Sequence, residues 1–381
     1  MARRPIGIVL GGVTGRMGYR QHLVRSLLAI RDEGGLPLAD GSRLWPEPVL
    51  VGRNEARLAE IARRHGLTEW TTDLAAALSR PDVSIYFDAQ ITRQREKAVR
   101  RALEAGKHVY VEKPLAVDHA GAFELARTAA AAGVRTGVVA DKLFLPGLRK
   151  LRRLVEGGFF GRILSVRIDF GYWVFEGDWQ PAQRPSWNYR AEDAGGITLD
   201  MFPHWQYLLE GLFAPVRSVQ CTIATHVDTR VDESGRPYPA TADDAAYAVL
   251  ELDGGVIAQV NASWCVRVYR DELVQVQVDG THGSAVAGLH HCRVQHRAVT
   301  PKPVWDPDSP STVDFRAQWQ EVPDNEAYGN AFRVQWEAFL RHVVEGTPFP
   351  WDFAAAARGV HLAELALRSA REGCRVPVPP S

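Results

Sequence analysis

The first 145 residues alternate between two hydrophobic patterns. Short continuous apolar runs such as 6–10 and 83–87 are typical of buried strands, whereas the stretches between them repeat apolar residues every three or four positions, as amphipathic helices do. Strands that alternate with helices of about ten or more residues predict a parallel, doubly wound α/β sheet. The predicted strands are 6–10, 49–52, 83–87, 108–111 and 136–140, and the predicted helices are 19–30, 54–65, 74–79, 93–105 and 118–132.

One stretch interrupts this alternation. Residues 31–48 contain several glycines and prolines, among them Gly34, Gly35, Pro46 and Pro48. We interpret them as a polar insertion before the second strand. It is longer than an ordinary helix-to-strand loop, and insertions of that length are often functional.

After about residue 160 the pattern becomes that of a mostly antiparallel sheet. β-branched, alternating segments are joined by turns such as 253–255. A helix is predicted at 196–212, and two more at 330–345 and 353–372. The predicted strands are 163–172, 216–224, 245–252, 256–263, 272–280 and 283–288.

Composition narrows the class of protein. The chain has 381 residues, long enough for two domains, and its 45 Lys plus Arg balance 45 Asp plus Glu, so no net field favours nucleic acid or an anionic membrane. No apolar stretch approaches the length of about 18 residues that a membrane helix needs. The apolar run at 6–10 is too short for a signal peptide, so we expect a cytoplasmic protein.

The cysteines and histidines do not predict a metal site. Four cysteines lack the paired spacing of zinc ligands and are expected to be reduced thiols: Cys221, Cys265, Cys292 and Cys374. Four histidines fall around turns without ligand spacing and are interpreted as solvated or interface residues: His282, His290, His291 and His296.

A glycine turn follows the first strand. Gly12, Gly15 and Gly18 are three residues apart at the start of a helix, a context in which small residues let a pyrophosphate approach the backbone N–H groups. Val13 stands where the strict G-x-G-x-x-G pattern has its first glycine, and the alternative is a turn that only packs helix on strand. The expected cofactor contacts in this turn are Gly12, Thr14, Gly15, Arg16 and Met17.

The end of the second strand bears on cofactor choice. An acidic residue there would accept the ribose hydroxyls of NAD, whereas an arginine would meet the 2′-phosphate of NADP. Arg53 occupies this position, so NADP is preferred over NAD. The alternative is an arginine that starts a helix on a solvated face.

Two further motifs contain candidate acid–base groups. Lys113, in Glu112-Lys113-Pro114, follows a predicted strand at the edge where α/β sheets bind ligands, and it could donate to a substrate hydroxyl; the alternative is a surface ion pair with Glu112. Asp200 and His204 are four apart at a helix start, so they share one face. His204 could take a hydroxyl proton while Asp200 orients it; the alternative is a surface pair that caps the helix.

Taken together, these motifs resemble those of the glucose-fructose oxidoreductase, inositol dehydrogenase and rhizopine-catabolism (Gfo/Idh/MocA) family. The glycine turn, the Glu-Lys-Pro tripeptide and the G-G-x-x-x-D-x-x-x-H helix start at 195–204 occur in the family's order, and the resemblance spans nearly the whole chain. It implies an NAD(P)-binding Rossmann domain at 1–145. It also implies a substrate-binding and oligomerisation α/β domain at 146–381 with a large open sheet, the C-terminal helices being able to pack back on the first domain.

The resemblance also implies roles and an assembly. By match of motif, His204 is the general acid/base, Lys113 a substrate-hydroxyl ligand and proton-relay partner, and Asp200 a substrate ligand and orienter. The cofactor is a nicotinamide dinucleotide, and the assembly is a homodimer or homotetramer built through the sheets.

The chain departs from the family in two places. Asp88-Ala89-Gln90 replaces the usual Ala-Thr-Pro, and these three residues, with Glu112 and Lys113, complete the expected cofactor contacts. Lys142 lies where relatives carry an arginine-rich stretch, and it is expected to reach the substrate pocket instead.

An aromatic cluster precedes the Asp200 helix and suggests a sugar. Aromatic rings beside polar groups suit a pyranose or cyclitol, although such rings also fill cores and interfaces. The expected substrate contacts here are Trp173, Trp187, Tyr189 and Arg190. A neutral glycoside, inositol or aldose is favoured over a sugar phosphate, because no cluster of basic residues lies beside Asp200 and His204 in the sequence.

The predicted function is an NAD(P)-dependent dehydrogenase that moves a hydride between the nicotinamide and a secondary alcohol or ketone of such a substrate. Three alternatives stay open. A biliverdin-reductase-like or dihydrodipicolinate-reductase-like enzyme would share the two-domain plan. A lyase or glycosidase that oxidises its substrate transiently would share every motif. A non-catalytic dinucleotide-binding regulator would lack the chemistry.

Overall fold

The computed structural model describes residues 2–380. The chain divides into two compact units. The first runs up to Phe144 and includes Gly329–His361, and the second comprises Leu145–Tyr328 and the chain from Leu362 onward.

The first unit contains the expected parallel sheet, in the order β2-β3-β1-β5-β6-β7 with β4 beside β3. All pairings are parallel except that of β2 with β3. The strands are β1 Arg3–Gly11, β2 Leu36–Pro37, β3 Arg43–Val51, β4 Trp70–Thr71, β5 Val83–Asp88, β6 His108–Val111 and β7 Thr136–Val138. The helices are a π-helix Met17–Leu28, α1 Ala29–Asp32, α2 Glu55–Arg64, α3 Leu74–Ser79, α4 Thr92–Glu104, α5 His119–Ala132 and a 3-10 turn Asp141–Phe144.

The interpretation of residues 31–48 as an insertion is wrong for its second half, because β3 begins at Arg43. Prolines are tolerated there because they face an unpaired edge. The Leu50 N–H donates to the carbonyl of Glu69, the residue before β4, and alternate residues point the same way, so Pro46 and Pro48 direct their nitrogens to the same side. That side carries no partner strand between the β2 and β4 pairings, so the two prolines cost no ladder hydrogen bond.

The second unit contains the expected large, mostly antiparallel sheet. In the part of the chain that the structure describes, its nine strands follow the order β17-β16-β15-β14-β8-β13-β12-β9-β18, and only β8 and β13 pair in parallel. The strands are β8 Ile163–Gly171, β9 Val216–Ala224, β12 Ala245–Leu252, β13 Ile257–Ser263, β14 Val274–Gly280, β15 Gly283–Ala287, β16 Cys292–His296, β17 Gln320–Glu321 and β18 Val376–Pro377, with a separate hairpin of β10 Thr229–Val231 and β11 Pro237–Pro239. Short 3-10 turns lie at Ser186–Tyr189, Ala191–Asp193, Asp253–Gly255 and Arg297–Val299.

Two long helices belong to the second unit. Helix α7, Ile197–Leu212, is buried along most of its length and packs on β9, β12 and β13. Helix α6, Pro146–Glu156, was not among the predicted elements. Pro146 in its first turn is a signal for its start, because proline is well tolerated there, and the buried Leu148 and Leu151 lie three residues apart as in an amphipathic helix.

The C-terminal helices are α8 Ala331–Glu345 and α9 Phe353–Glu372. Both faces of the first sheet are buried, because successive residues of β1 point to opposite faces and pack into two different hydrophobic clusters. Ile8 packs with Trp336 of α8 in one hydrophobic cluster, and Val9 packs with Phe353 of α9 in the other.

Candidate functional site

The glycine turn lies directly against the loop that follows β5. Gly12 has φ +76°, and a Cβ there would lie 2.5 Å from the main-chain carbonyl carbon of Ala89. A Cβ on Gly18 would lie 2.5 Å from the Gly12 oxygen. Both positions therefore require glycine, because a side chain would push the turn away from its neighbours.

The turn leads into the π-helix with an arrangement suited to an anion. Thr14, Gly15 and Arg16 are exposed, and no side chain caps the helix start. Uncapped N–H groups and the positive end of the helix favour a phosphate. The cradle formed by Gly12 and Gly18 thus fits the pyrophosphate of a dinucleotide, and Met17 begins the helix.

Arg53 lies beside this turn at the end of β3 and is exposed. A Cβ built on the preceding Gly52 would be 3.7 Å from the Thr14 methyl group, so the end of β3 and the glycine turn are neighbours. Arg53 is therefore placed where a cationic side chain can reach a group bound at the turn.

The Asp88 carboxylate is occupied by protein donors. It is fully buried and accepts hydrogen bonds from Tyr86 Oη at 2.6 Å, Gln90 Nε2 at 2.8 Å and Arg95 Nε at 3.0 Å. Burial and Asp88 hold the pKa of Tyr86 well above its usual value, so this hydroxyl stays a donor. Asp88 thus braces the loop from inside, while Ala89 and Gln90 are half-buried beside the turn.

The Glu-Lys-Pro tripeptide follows β6, and its glutamate faces inward. Glu112 Oε1 lies 2.8 Å from Nε2 of the fully buried His22, and Trp336 Nε1 donates to His22 Nδ1 at 3.0 Å. Burial alone would raise the pKa of Glu112, but the His22 hydrogen bond and the charges of Lys113 and Arg95 hold it below its usual value. His22 and Trp336 were absent from the predicted site.

Hydrogen bonds also fix the main chain of the tripeptide Glu112-Lys113-Pro114. The Glu112 N–H donates to the Asp88 carbonyl at 2.8 Å, and Arg95 donates to the Pro114 carbonyl. Lys113 is half-buried, and its peptide bond to Pro114 is cis.

Lys142 lies in the 3-10 turn Asp141–Phe144, at the end of the first segment of the first unit. Its Nζ is 3.6 Å from Asp141 Oδ1, and 17% of its side chain is exposed. That Lys142 contacts the substrate stays a prediction.

In the second unit, Asp243 rather than Asp200 caps helix α7. Its carboxylate accepts from the Thr198 hydroxyl at 2.6 Å and the Thr198 N–H at 2.9 Å. Gly196, with φ +111°, has no room for a Cβ because Asp243 Oδ1 would be 2.3 Å away. Burial raises the pKa of Asp243, although the Thr198 hydrogen bonds oppose the shift. Asp200 is therefore available for a role other than capping.

Asp200 pairs with an arginine that the sequence analysis missed. Arg184 Nη1 lies 3.0 Å from Asp200 Oδ2, and the guanidinium lies 4.3 Å from the ring centre of Trp264. Burial disfavours the charged guanidinium, but Asp200 and Tyr172 more than offset this and raise the pKa of Arg184. Only the position of Arg184 inside the aromatic stretch could have drawn attention to it.

His204 is buried and has its own partner on α7. Its Nδ1 lies 2.6 Å from Tyr207 Oη, one helical turn away. A ring nitrogen held in this way fixes the orientation of the imidazole. Tyr207 is an orienting partner that the sequence analysis did not predict.

The aromatic cluster divides into exposed and buried members. Trp187 is 44% exposed, whereas Tyr189 is 2% exposed and packs under the guanidinium of Arg230 at 3.9 Å from its ring centre. Tyr189 is therefore part of the core, and its predicted contact with the substrate stays a prediction. Trp173 lies under Arg267, and Arg190 lies over the ring of Tyr238.

Among residues 2–380, no three or more His, Cys, Asp or Glu side chains group as metal ligands. No helix within the same range is long and apolar enough to span a membrane.

Comparison with known proteins assigns the chain to a family. The family model described as GFO/IDH/MocA C-terminal domain matches residues 148–286, and the model described as Oxidoreductase family, NAD-binding Rossmann fold, matches residues 28–140. D-xylose dehydrogenase of Paenarthrobacter nicotinovorans is 58% identical over 378 residues, which cover 98% of this chain and 97% of the relative. The chain belongs to the Gfo/Idh/MocA family.

More distant members of the Gfo/Idh/MocA family share the fold. Levoglucosan dehydrogenase of Pseudarthrobacter phenanthrenivorans is 25% identical over 272 residues, covering 64% of this chain and 66% of the relative. A solved structure of levoglucosan dehydrogenase in its apo form has a TM-score of 0.83 at 20% identity, with 100% of both chains covered. Another, in complex with NADH and levoglucosan, has a TM-score of 0.81 at 20% identity and covers 99% of this chain and 100% of that one.

Membership of the Gfo/Idh/MocA family confirms the predicted class. The chain is an oxidoreductase with an NAD-binding Rossmann domain, and its relatives act on CH–OH groups. The match to the Rossmann model begins at residue 28, after the glycine turn, which agrees with the loose form of that motif here.

Proposed function

We propose that this chain oxidises D-xylose or a closely related aldose at a C–OH carbon, with a nicotinamide dinucleotide as hydride acceptor. The observation that carries the proposal is the 58% identity to a D-xylose dehydrogenase across 98% of the chain. The oxidised dinucleotide, when bound, supplies the hydride acceptor. The protein must then hold the sugar and remove one proton from its hydroxyl.

We assign the proton to His204. Because its Nδ1 is engaged by Tyr207, proton transfer is assigned to Nε2. A neutral imidazole is a base suited to neutral pH. Lys113 is proposed to donate a hydrogen bond to a sugar hydroxyl and to relay a proton.

Asp200 and Arg184 are proposed to bind sugar hydroxyls as a pair. The carboxylate can only accept when ionised, and the guanidinium can only donate, so together they offer both kinds of partner to neighbouring hydroxyls. At 3.0 Å the two side chains also fix one another. The remaining candidate substrate contacts are Lys142, Trp173, Trp187, Tyr189 and Arg190.

Arg53 is proposed to favour NADP over NAD. Its support is its exposure at the end of β3 beside the glycine turn, where it can meet a 2′-phosphate. The proposed cofactor contacts elsewhere are Gly12, Thr14, Gly15, Arg16, Met17, Ala89, Gln90, Glu112 and Lys113, with Asp88 as their internal brace.

We also propose a cytoplasmic homodimer or homotetramer. All four cysteines are free thiols, as suits a reducing compartment. The outer face of the large sheet, defined here by Tyr247, Val249 and Ile257, exposes these three large apolar side chains between polar ones, and an interface between copies would cover them.

The test is to follow reduced nicotinamide at about 340 nm with NAD or NADP and a panel of D-xylose, other aldoses and inositols. We expect reduction with D-xylose and little with inositols. Bound cofactor without net reduction would contradict the proposal and favour a transient-redox lyase. Binding of dinucleotide with no chemistry on any sugar would favour a regulator.

A further inference from the structure

A buried chain of hydrogen bonds leads from the C-terminal helix α8 to the tripeptide that carries Lys113. Trp336 Nε1 lies 3.0 Å from His22 Nδ1, and His22 Nε2 lies 2.8 Å from Glu112 Oε1. His22 and Trp336 are both fully buried, and Glu112 is 9% exposed. The three residues come from α8, the π-helix and the end of β6, and all belong to the first unit.

The donors and acceptors in this chain are determined by chemistry. An indole N–H can only donate, so His22 Nδ1 must be the acceptor and carries no proton. The proton of the neutral imidazole is then on Nε2, where it donates to the Glu112 carboxylate. Trp336 therefore selects the histidine tautomer that can satisfy Glu112.

Charged and titratable groups reach Glu112 from several elements. His22 approaches from the π-helix, Arg95 from α4, and Lys113 is its neighbour in sequence, while Tyr110 precedes it on β6. Burial favours the neutral carboxyl, but the His22 hydrogen bond, followed by the charges of Lys113 and Arg95, holds the pKa of Glu112 below its usual value. His22 provides the hydrogen bond to the carboxylate, whereas Arg95 holds Asp88 and the Pro114 carbonyl.

We propose that His22 is a positioning residue for Lys113, because its bond to Glu112 keeps a buried, ionised and oriented carboxylate next to the lysine, with Trp336 fixing the tautomer. The activity part of this inference rests on the proposed function of Lys113. The part that concerns Glu112 does not, because it can be measured without substrate.

Two substitutions separate this role from simple packing. His22→Gln keeps a group that can accept from Trp336 and donate to Glu112, whereas His22→Phe keeps a ring but removes both hydrogen bonds. Neither variant has a histidine at this position, so the two are compared with each other rather than with the wild type. In His22→Phe the pKa of Glu112 should rise, because its ionised form has lost its donor.

The first readout is the free energy of unfolding by urea as a function of pH. A carboxyl with a lowered folded pKa stabilises the protein above its unfolded pKa, and this stabilisation is lost as the pH falls through the folded pKa. In His22→Phe the folded pKa of Glu112 is raised instead, so ionisation of Glu112 destabilises the folded protein. We therefore expect the stability gap between the two variants to widen as the pH rises from the lowered pKa of Glu112 in His22→Gln to its raised pKa in His22→Phe, and to stay constant above that.

Two backgrounds serve as controls. With Glu112→Gln added, the buried charge is gone, so the gap should no longer depend on pH. The same pair at His65, whose partner is the Tyr19 hydroxyl at 3.0 Å rather than a carboxylate, should show a pH-independent gap. If His22→Phe does not fold alone, its recovery in the Glu112→Gln background supports the inference, and failure to recover there contradicts it.

The second readout is kcat/KM for the sugar across pH. His22→Phe should lose activity on the acid side, about tenfold for each pH unit below the raised pKa, while His22→Gln should follow the wild type. A stability gap that is constant with pH overturns the inference, and so do equal pH profiles for the two variants. If the wild type reduces no dinucleotide with any sugar, the proposed function fails, whereas the unfolding measurements still decide the role of His22 at Glu112.

Discussion

At the scale of single residues, the candidate acid–base group and the candidate sugar-binding pair have separate supports. His204 is oriented through Tyr207, and Asp200 through Arg184. This separation means that proton transfer and substrate binding should respond to different substitutions, which makes the assignments testable one at a time.

Replacing His204 with alanine should lower kcat by about 10²- to 10⁴-fold, the usual contribution of a positioned acid/base. Cofactor affinity should change little, because the histidine acts on the hydroxyl proton and not on the dinucleotide. Stopped-flow turnover and fluorescence titration with NADH or NADPH would measure the two quantities. Unchanged turnover would remove the acid/base role, and Tyr207→Phe should give a smaller loss because the base itself remains.

Replacing Arg184 with methionine should raise KM for the sugar by about tenfold, equivalent to about 1.4 kcal/mol of lost binding. The variant removes a donor and leaves Asp200 without its partner, so Arg184→Lys should recover part of the loss. Arg149→Met is a matched control, since Arg149 also lies over an aromatic ring, that of Tyr328, and also pairs with a carboxylate, Glu326 Oε2 at 2.8 Å, and neither partner is a candidate sugar contact. An unchanged KM in Arg184→Met would contradict the pairing role.

At the scale of elements, periodicity predicted the regular parts well and the irregular parts poorly. The α/β alternation identified the parallel sheet because buried strands and amphipathic helices leave different local patterns. The start of β3 was missed because Pro46 and Pro48 usually mark loops, and here they face an unpaired edge. Helix α6 was missed although Pro146 marks its first turn.

The residues of the candidate site also divide into those that a local sequence pattern reveals and those that it does not. Lys113, Asp200 and His204 lie in short motifs and could be found by spacing. His22 and Trp336 could not, because their contacts join residues 90 and 314 positions apart, and no local pattern encodes such a pairing. Single-sequence reasoning therefore finds groups that belong to motifs and misses the partners that hold them.

The end of β3 provides a prediction for cofactor choice. Arg53→Ala should weaken NADP binding by about 1–2 kcal/mol, within the range of a charge-assisted hydrogen bond, and should change NAD binding much less. The reason is that only NADP carries the 2′-phosphate that a guanidinium would meet. Dissociation constants for NADPH and NADH from fluorescence titration decide the matter, and equal losses for both would remove the 2′-phosphate role.

At the scale of the whole molecule, the two units carry different candidate tasks. The first presents the glycine cradle and the braced tripeptide, and the second presents the Arg184–Asp200 pair, His204 and a large sheet. Helix α7 covers one face of that sheet at β9, β12 and β13. The outer face is where we propose that a second copy binds.

That outer face gives the prediction for assembly. Tyr247, Val249 and Ile257 are 40%, 41% and 38% exposed, and strand pairing places them on one side of β12 and β13. In a two-fold interface a substitution is present twice, so Val249→Lys would place two like charges in an apolar contact.

We expect this variant to raise the dissociation constant of the oligomer by about 100-fold, equivalent to about 2.7 kcal/mol. Sedimentation velocity over a range of protein concentrations would measure the change. Val304→Lys is the control, because Val304 is 76% exposed in the loop between β16 and β17, outside this sheet face, and should leave assembly unchanged. If Val249→Lys sediments as the wild-type oligomer, the interface is not on this face. If the wild type is itself a monomer, the proposed dimer or tetramer is wrong, and the outer face forms no interface between copies of this chain.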